Sequence, residues 1–255
     1  MKKYFLLAIA AIALTTVSCK KDKDAAPAPV PGTPAKLLTK MTKTENNTTT
    51  VFNFLYDANK RLISYKSTDN KVGIIFTYDA QGNVIKVENN EDGFKNIYTY
   101  TYNNNVPVSG TFKSWQKTAG EPDDLIEDDL LSYTVANNQV TKIHVAFTQS
   151  QDAADFELSY DGNGNLTKIT GNNNNYAASF GYGNKKPVFP MVSKYVLDQA
   201  GFSLQFAAKN ELLSASFDFP GDQFDEAINN QYTYDAAGYV LTSTDGTAHI
   251  NYEYQ

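Results

Sequence analysis

The chain has 255 residues, with 22 basic and 28 acidic side chains, two histidines, one cysteine and a formal charge of −6. That balance offers no basic surface for nucleic acid, and a lone cysteine leaves no intramolecular disulfide to brace a fold. The length allows a full hydrophobic core, so stability has to come from packing.

The opening "MKKYFLLAIAAIALTTVSC" places Lys2 and Lys3 before an apolar run from Tyr4 to about Leu14, followed by small residues up to Cys19. This is the layout of a secretory signal peptide, too short to remain as a membrane-spanning helix. Thr16, Val17 and Ser18 before Cys19 resemble a bacterial lipobox, with Thr16 where the pattern prefers leucine. The resemblance implies removal of residues 1–18, lipidation of Cys19 and a mature chain with a formal charge near −8. Residues 19–35 continue as a charged start and then a stretch holding Pro27, Pro29, Pro31 and Pro34. At about 3.1 Å per residue such a tether reaches on the order of 50 Å. Charged residues just after the cysteine are similar to the start of Bacteroidota lipoproteins exported to the outer face of the outer membrane.

Residues 36–255 are expected to form one domain of hairpin repeats. "FLYDANKRLISY" from Phe54, "FTYDAQGNVIKV" from Phe76, "LSYDGNGNLTKI" from Leu158 and "YTYDAAGYVLTS" from Tyr232 share one pattern. An apolar pair at period two leads to Tyr56, Tyr78, Tyr160 or Tyr234, then a polar cluster, then aliphatics, which reads as strand, turn, strand. Asp57, Asp79, Asp161 and Asp235 follow the tyrosines and suit side-chain bonding to the turn backbone, and Gly82, Gly164 and Gly238 suit a positive φ. Setting Phe76 opposite Val87 and Tyr78 opposite Ile85 gathers the apolar residues on one face, whereas an odd loop with a bulge sets Phe76 against Lys86; burial selects the even loop. The same offset pairs Phe54 with Tyr65 and Leu158 with Ile169.

Eroded copies occur at "YTYNNNVPVS" from Tyr100, "LSYTVANNQVTKI" from Leu131, "FGYGNKKPVF" from Phe180 and "LQFAAKNELLSA" from Leu204. The copy from Leu131 breaks the offset and predicts a shifted register. Between these turns lie more variable loops, and the alternation amounts to about 18 short strands. The predicted fold is all-β: an up-and-down antiparallel meander closing into a flattened or twisted β-barrel-like sheet, aromatic face inward. An open sheet would expose edges and a wall of rings, and a round barrel would leave a lumen wider than tyrosines fill. Lys66, Lys86, Glu88, Lys142 and Lys168 fall on the other face, which disfavours a membrane-spanning barrel. No helical period stands out, apart from a single turn expected at Asp225 to Asn229.

The Tyr-Asp-x-x-Gly-Asn/Arg-Leu/Val pattern is similar to the YD repeats of RHS-type shell proteins and teneurins. Residues 37–255 resemble an uncharacterised Bacteroidota lipoprotein domain with a porin-like fold. The resemblance implies β architecture and surface lipoprotein status, and no activity.

Chemistry-bearing residues are sparse. His144 and His249 stand singly in predicted strands, and no G-x-S-x-G occurs. "DGNGNLTKITGN" from Asp161 begins like a calcium loop but has Leu166 for the turn glycine and Asn172 for the bidentate glutamate. Asp123, Asp124, Glu127, Asp128 and Asp129 form an acidic cluster in a long loop and are weak calcium candidates. Trp115, at the start of that loop, is a candidate for stacking on a sugar or else a plug of the barrel end. The functional expectation is a non-enzymatic, lipid-anchored binding or structural module of the outer membrane, with a glycan-binding accessory protein as alternative. It implies the membrane as partner through the anchor, a glycan or an envelope protein as the second partner, and no cofactor. Oligomeric state is not legible.

Overall fold

The computed structural model describes residues 36–91, 93–171, 176–198, 203–219 and 225–255; the signal peptide, Cys19 and the tether lie outside them. The strands are β1 (Leu38–Glu45), β2 (Thr48–Tyr56), β3 (Leu62–Ser67), β4 (Gly73–Tyr78), β5 (Val84–Glu91) and β6 (Phe94–Asn103). They continue with β7 (Val106–Gln116), β8 (Asp124–Ala136), β9 (Gln139–Phe147), β10 (Asp152–Tyr160), β11 (Leu166–Gly171) and β12 (Tyr176–Tyr182). After one helical turn, α1 (Leu204–Ala207), come β13 (Leu212–Asp218), β14 (Glu226–Asn229), β15 (Gln231–Tyr234), β16 (Val240–Thr244) and β17 (Ala248–Tyr254). These 17 strands form one antiparallel up-and-down sheet, and β17 returns to pair with β1 from Leu38↔Tyr254 to Glu45↔Ala248.

One seam is not zipped by a backbone ladder. Only Asn230 separates β14 from β15, and they form one interrupted run whose first half pairs with β13 and second half with β16. Side chains stitch the gap: Asn230 Nδ2 and the Tyr232 hydroxyl both donate to the Leu212 carbonyl, at 3.1 and 2.8 Å. The expected helical turn at Asp225 to Asn229 is instead β14, because "EAIN" lies on Phe217 to Ser214 as a fourteenth rung.

Away from the turns the register is the one burial demands: Phe54↔Tyr65, Phe76↔Val87 and Leu158↔Ile169. Next to each turn it differs from the expected even loop. Tyr78 faces Val84, not Ile85, and the ladder shifts by one between Thr77 and Tyr78. The turn has an odd length because the Asp79 amide closes on the Asn83 carbonyl at 2.9 Å. One extra residue in the return strand then restores the apolar alignment, so a β-bulge reconciles turn chemistry with burial. Tyr56↔Leu62, Tyr160↔Leu166 and Tyr234↔Val240 repeat the device. The copy from Leu131 is shifted as its pattern predicts: Val135 faces Val140 across an Asn137-Asn138 turn with φ of 51° and 59°, and Tyr133 sits one rung deeper.

The bulges explain the tyrosines. A bulge interrupts the ladder, and a buried carbonyl left without a donor is costly. At four bulges the residue just before the bulge accepts a tyrosine hydroxyl from the next strand. Tyr56 donates to Leu38 at 2.7 Å, Tyr78 to Leu62 at 2.7 Å, Tyr102 to Val84 at 2.9 Å and Tyr160 to Val140 at 2.8 Å. The pattern lapses at Tyr182 and Tyr254, whose buried hydroxyls have no partner among the described residues.

The copies from Phe180 and Leu204 are not two hairpins. Tyr182 pairs with Leu212 and the Gly183 amide with the Glu211 carbonyl, so β12 and β13 form one hairpin whose turn carries residues 184–210 as an insertion. The stretch expected to supply a strand from Leu204 forms α1. The insertion's described residues reach the space inside the sheet. Phe206 lies 5.0 Å from Phe76 and 6.2 Å from Tyr65, Phe189 lies 6.1 Å from Phe54, and the Leu197 carbonyl accepts the Tyr133 hydroxyl at 2.7 Å. Tyr195, Val196, Leu197 and Leu204 are buried with it.

Tyr78→Phe removes only the hydroxyl and is expected to cost about 1 kcal/mol by leaving the Leu62 carbonyl unpaired. Tyr78→Ala adds a cavity and is expected to cost about 2–4 kcal/mol. Urea denaturation checks both; a Tyr78→Phe variant as stable as the parent would remove the hydroxyl–carbonyl bond from the account.

Candidate functional site

The Tyr-Asp turns organise one rim. Asp57 Oδ1 accepts the amides of Asn59 and Arg61 at 2.9 Å, and its Oδ2 accepts Arg61 Nε at 2.7 Å. The Arg61 amide and guanidinium hold its carboxyl below the usual carboxylate range. Asp161 and Asp235 accept the corresponding amides at 2.9 Å, and Asp79 accepts that of Asn83 at 2.8 Å. Gly82, Gly164 and Gly238 have φ of 88°, 87° and 79°, a region open to glycine. "DGNGN" is thus a hairpin turn. Its Asn165 is almost fully buried and its Oδ1 accepts the Lys209 amide at 2.8 Å, which ties the turn to the insertion.

The chain enters on this rim. Lys36 Nζ lies 2.6 Å from Asp235 Oδ2, the Lys36 amide donates to the Tyr239 hydroxyl at 3.0 Å, and Leu37 and Gln255 exchange backbone bonds. The variable connections, including residues 117–123 and 148–151, therefore lie at the opposite rim.

The acidic cluster is mostly strand, not loop. Asp124 to Asp129 open β8, and strand alternation divides them between two faces. Asp128 points outward to Lys113 Nζ at 2.8 Å. Asp129 is 2% exposed, on the face of buried Leu131, and its Oδ2 has no hydrogen-bond partner among the described residues. Glu127, opposite buried Ser114, shares that face. Burial first, then the Asp129 carboxyl, push Glu127 up to about 8, and burial also raises Asp129. The pair is built to share a proton. Among the described residues no three His, Cys, Asp or Glu side chains are grouped to hold a metal; of the calcium candidates Glu127 and Asp129 come together as a pair and Asp128 faces away to Lys113.

Trp115 neither plugs the barrel end nor stands in a loop. It is the penultimate residue of β7, half-buried, on the face opposite buried Phe112 and Ser114, with Lys95 Nζ 5.4 Å from its ring centre. His144 is also on the outer face, its Nδ1 2.8 Å from Asp155 Oδ1, while Lys142 Nζ holds Oδ2 at 2.9 Å. His249 pairs in register with Thr44 and Thr244, away from His144.

A cavity of about 160 Å³ lies where the Asp79 turn meets the insertion, lined by Gly82, Asn83, Tyr102, Ser193, Lys194 and Tyr195 among others. None of its described lining residues is a carboxylate, so it holds no paired acid and base for glycoside hydrolysis. Sequence reasoning missed the insertion and its lysines. Their one signal was the failure of the copies from Phe180 and Leu204 to complete the repeat.

No known protein family and no curated protein matches the sequence. Among solved structures, the chain is similar to a porin-like protein from Bacteroides vulgatus at 11% identity, over 87% of this chain and 99% of that one, with a TM-score of 0.55. It also overlays the Photorhabdus luminescens Tc holotoxin pore at 16% identity, over 77% of this chain and 10% of that one, with a TM-score of 0.31. The first likeness establishes a porin-like β-barrel fold; the second is too loose to argue from.

Glu127 ties stability to pH. Its folded value lies above its ordinary 4.5, so its contribution is fully present below about 4.5 and is lost as pH rises to about 8. Glu127→Gln is expected to flatten the melting midpoint across that window and to raise it at pH 8. Midpoints that fall as steeply in Glu127→Gln as in the parent would assign the dependence elsewhere.

Proposed function

We propose that this protein is a lipid-anchored β module of the outer membrane that binds an envelope partner with its variable rim and performs no catalysis. The observation that carries this reading is the packed interior: Phe189, Leu197 and Phe206 of the insertion lie against the inner wall of the sheet, as in the core of a scaffold and not the lumen of a pore. The outer wall supports a water-facing module. Lys40–Glu253, Lys86–Glu88, Lys113–Asp128 and Lys142–Asp155 are ion pairs on it, where a lipid-embedded wall needs an apolar band. The lipobox-like Cys19 supports the anchor. Entry of the tether on the Tyr-Asp rim supports presentation of the variable loops away from the membrane.

A glycan-binding accessory role is the second reading, favoured by the position of Trp115 on the outer wall beside Lys95 and the 117–123 connection. Cys19→Ala is expected to move the protein from the membrane pellet to the soluble fraction after a high-salt wash; retention in the pellet would defeat the anchor. On a glycan array the second reading requires binding that Trp115→Ala abolishes. Silence, or a signal indifferent to that substitution, leaves the first reading.

A further inference from the structure

The Tyr-Asp rim combines lysines that have no ion pair among the described residues with an exposed apolar tip. Its turn aspartates are tied to their own backbone, where accepting amides leaves them ionised. Asp57, Asp79 and Asp161 cap their own turns, Asp235 holds Lys36, and Glu211, 2% exposed, accepts the Lys185 amide at 2.6 Å and the Tyr234 hydroxyl at 3.1 Å. Lys60, Lys185, Lys186, Lys194 and Lys209 make no ion pair with any described residue. Several sit on apolar or aromatic groups: Lys186 Nζ lies 3.7 Å over the Tyr239 ring, Lys194 Nζ lies 4.7 Å over Tyr195, and Lys209 Nζ lies 3.6 Å from Met191 Sδ. Met191 itself is 49% exposed on the insertion. Cationic heads on apolar stems around an exposed apolar side chain are the chemistry of an interface with charged lipid.

We infer that the Tyr-Asp rim and the mouth of its insertion form a docking face for an anionic phospholipid surface. The complementarity is local, from Lys186, Lys194 and Lys209 around Met191 on an otherwise acidic chain, and the chain segment bearing the proposed lipid anchor joins the barrel on this same rim. That second argument rests on the anchor reading; the charge argument does not. Fully extended, the tether would hold this face on the order of 50 Å from the bilayer, far outside a Debye length of about 8 Å. Docked, the tether is slack, the lysines neutralise headgroup phosphates, and the variable rim still points outward. The module thus has two stances, standing off or seated, and ionic strength selects between them.

The test uses the mature chain with Cys19→Ala, so that no lipid contributes, sedimented with vesicles of phosphatidylcholine with or without phosphatidylglycerol. Binding is expected to the phosphatidylglycerol vesicles alone and to vanish in high salt. Each lysine near an anionic surface contributes about fivefold to partitioning, so Lys186→Glu with Lys194→Glu is expected to weaken binding roughly twentyfold or more. Lys71→Glu with Lys95→Glu, on strands and loops of the opposite rim, is expected to leave it unchanged. Equal sedimentation with both vesicle types, none with either, or an equal loss in both double variants overturns the proposal. Melting midpoints equal to the parent's show that the variants fold. Failure of the anchor would appear separately, as salt-washed Cys19→Ala retained in the cell pellet.

Discussion

The bond between a tyrosine hydroxyl and the carbonyl before the next bulge is the constraint from which most of the structure follows. A reversal closed by the Asp carboxylate and its amide four residues on has an odd length, whereas alternating burial on both strands needs an even offset. The bulge resolves the conflict but interrupts the ladder. A tyrosine on the neighbouring strand is long enough to repair it, which is why tyrosine, and not phenylalanine, precedes the aspartate at Tyr56, Tyr78 and Tyr160. Where the pattern holds, one hairpin completes the hydrogen bonding of the one before it, which favours copies set in series. The closure obeys the same rule: β17 and β1 meet with Tyr254 opposite Leu38 and a register shift just after it, as if a turn joined them.

A series that closes must also be filled. Rings such as Phe54, Tyr65 and Phe76 cover the wall of a barrel this wide without meeting across it. The hairpin of β12 and β13 solves this by carrying the filler in its turn, so a single interruption of the repeat supplies the centre of the core. The cost falls at that hairpin, where Tyr182 loses its carbonyl partner. It falls again at the β14–β15 run, where ladder pairing passes from β13 to β16 and side chains of Asn230 and Tyr232 take over. Regularity and filling compete, and both irregularities flank β13.

What was legible in the sequence was what repeats. Period-two alternation and Asp and Gly at fixed offsets place the hairpins, the inward face and the closed meander, and the broken offset from Leu131 marks the place where Tyr133 turns from its neighbour to the insertion. The bulge was hidden because pattern alone weighs an even loop against an odd one and does not consider the two together. The insertion was hidden because "FGYGNKKPVF" and "LQFAAKNELLSA" each hold half a repeat, and nothing local says that Tyr182 and Leu212 belong to one hairpin. Trp115 and the acids near it were read as loop because density of charge resembles a loop. In the sheet, alternation assigns Asp128 to water and Asp129 to the interior, a distinction that spacing supplies only once the strand is known.

The two ends of the barrel differ for a reason rooted in the repeat. At the Tyr-Asp rim four turns carry an aspartate as a backbone cap, Asp57, Asp79, Asp161 and Asp235, while Lys60, Lys186 and Lys194 stand without an ion pair among the described residues. At the opposite rim Asp69 and Asp245 cap turns of their own, and Glu121, Asp123 and Asp124 are exposed. The two ends therefore differ less in their caps than in what else they expose: lysines of the insertion at one, acids of the 117–124 connection at the other. The tyrosine hydroxyls that repair the bulges bond at the Tyr-Asp end, so the connections at the other end can vary in length and composition without disturbing that ladder.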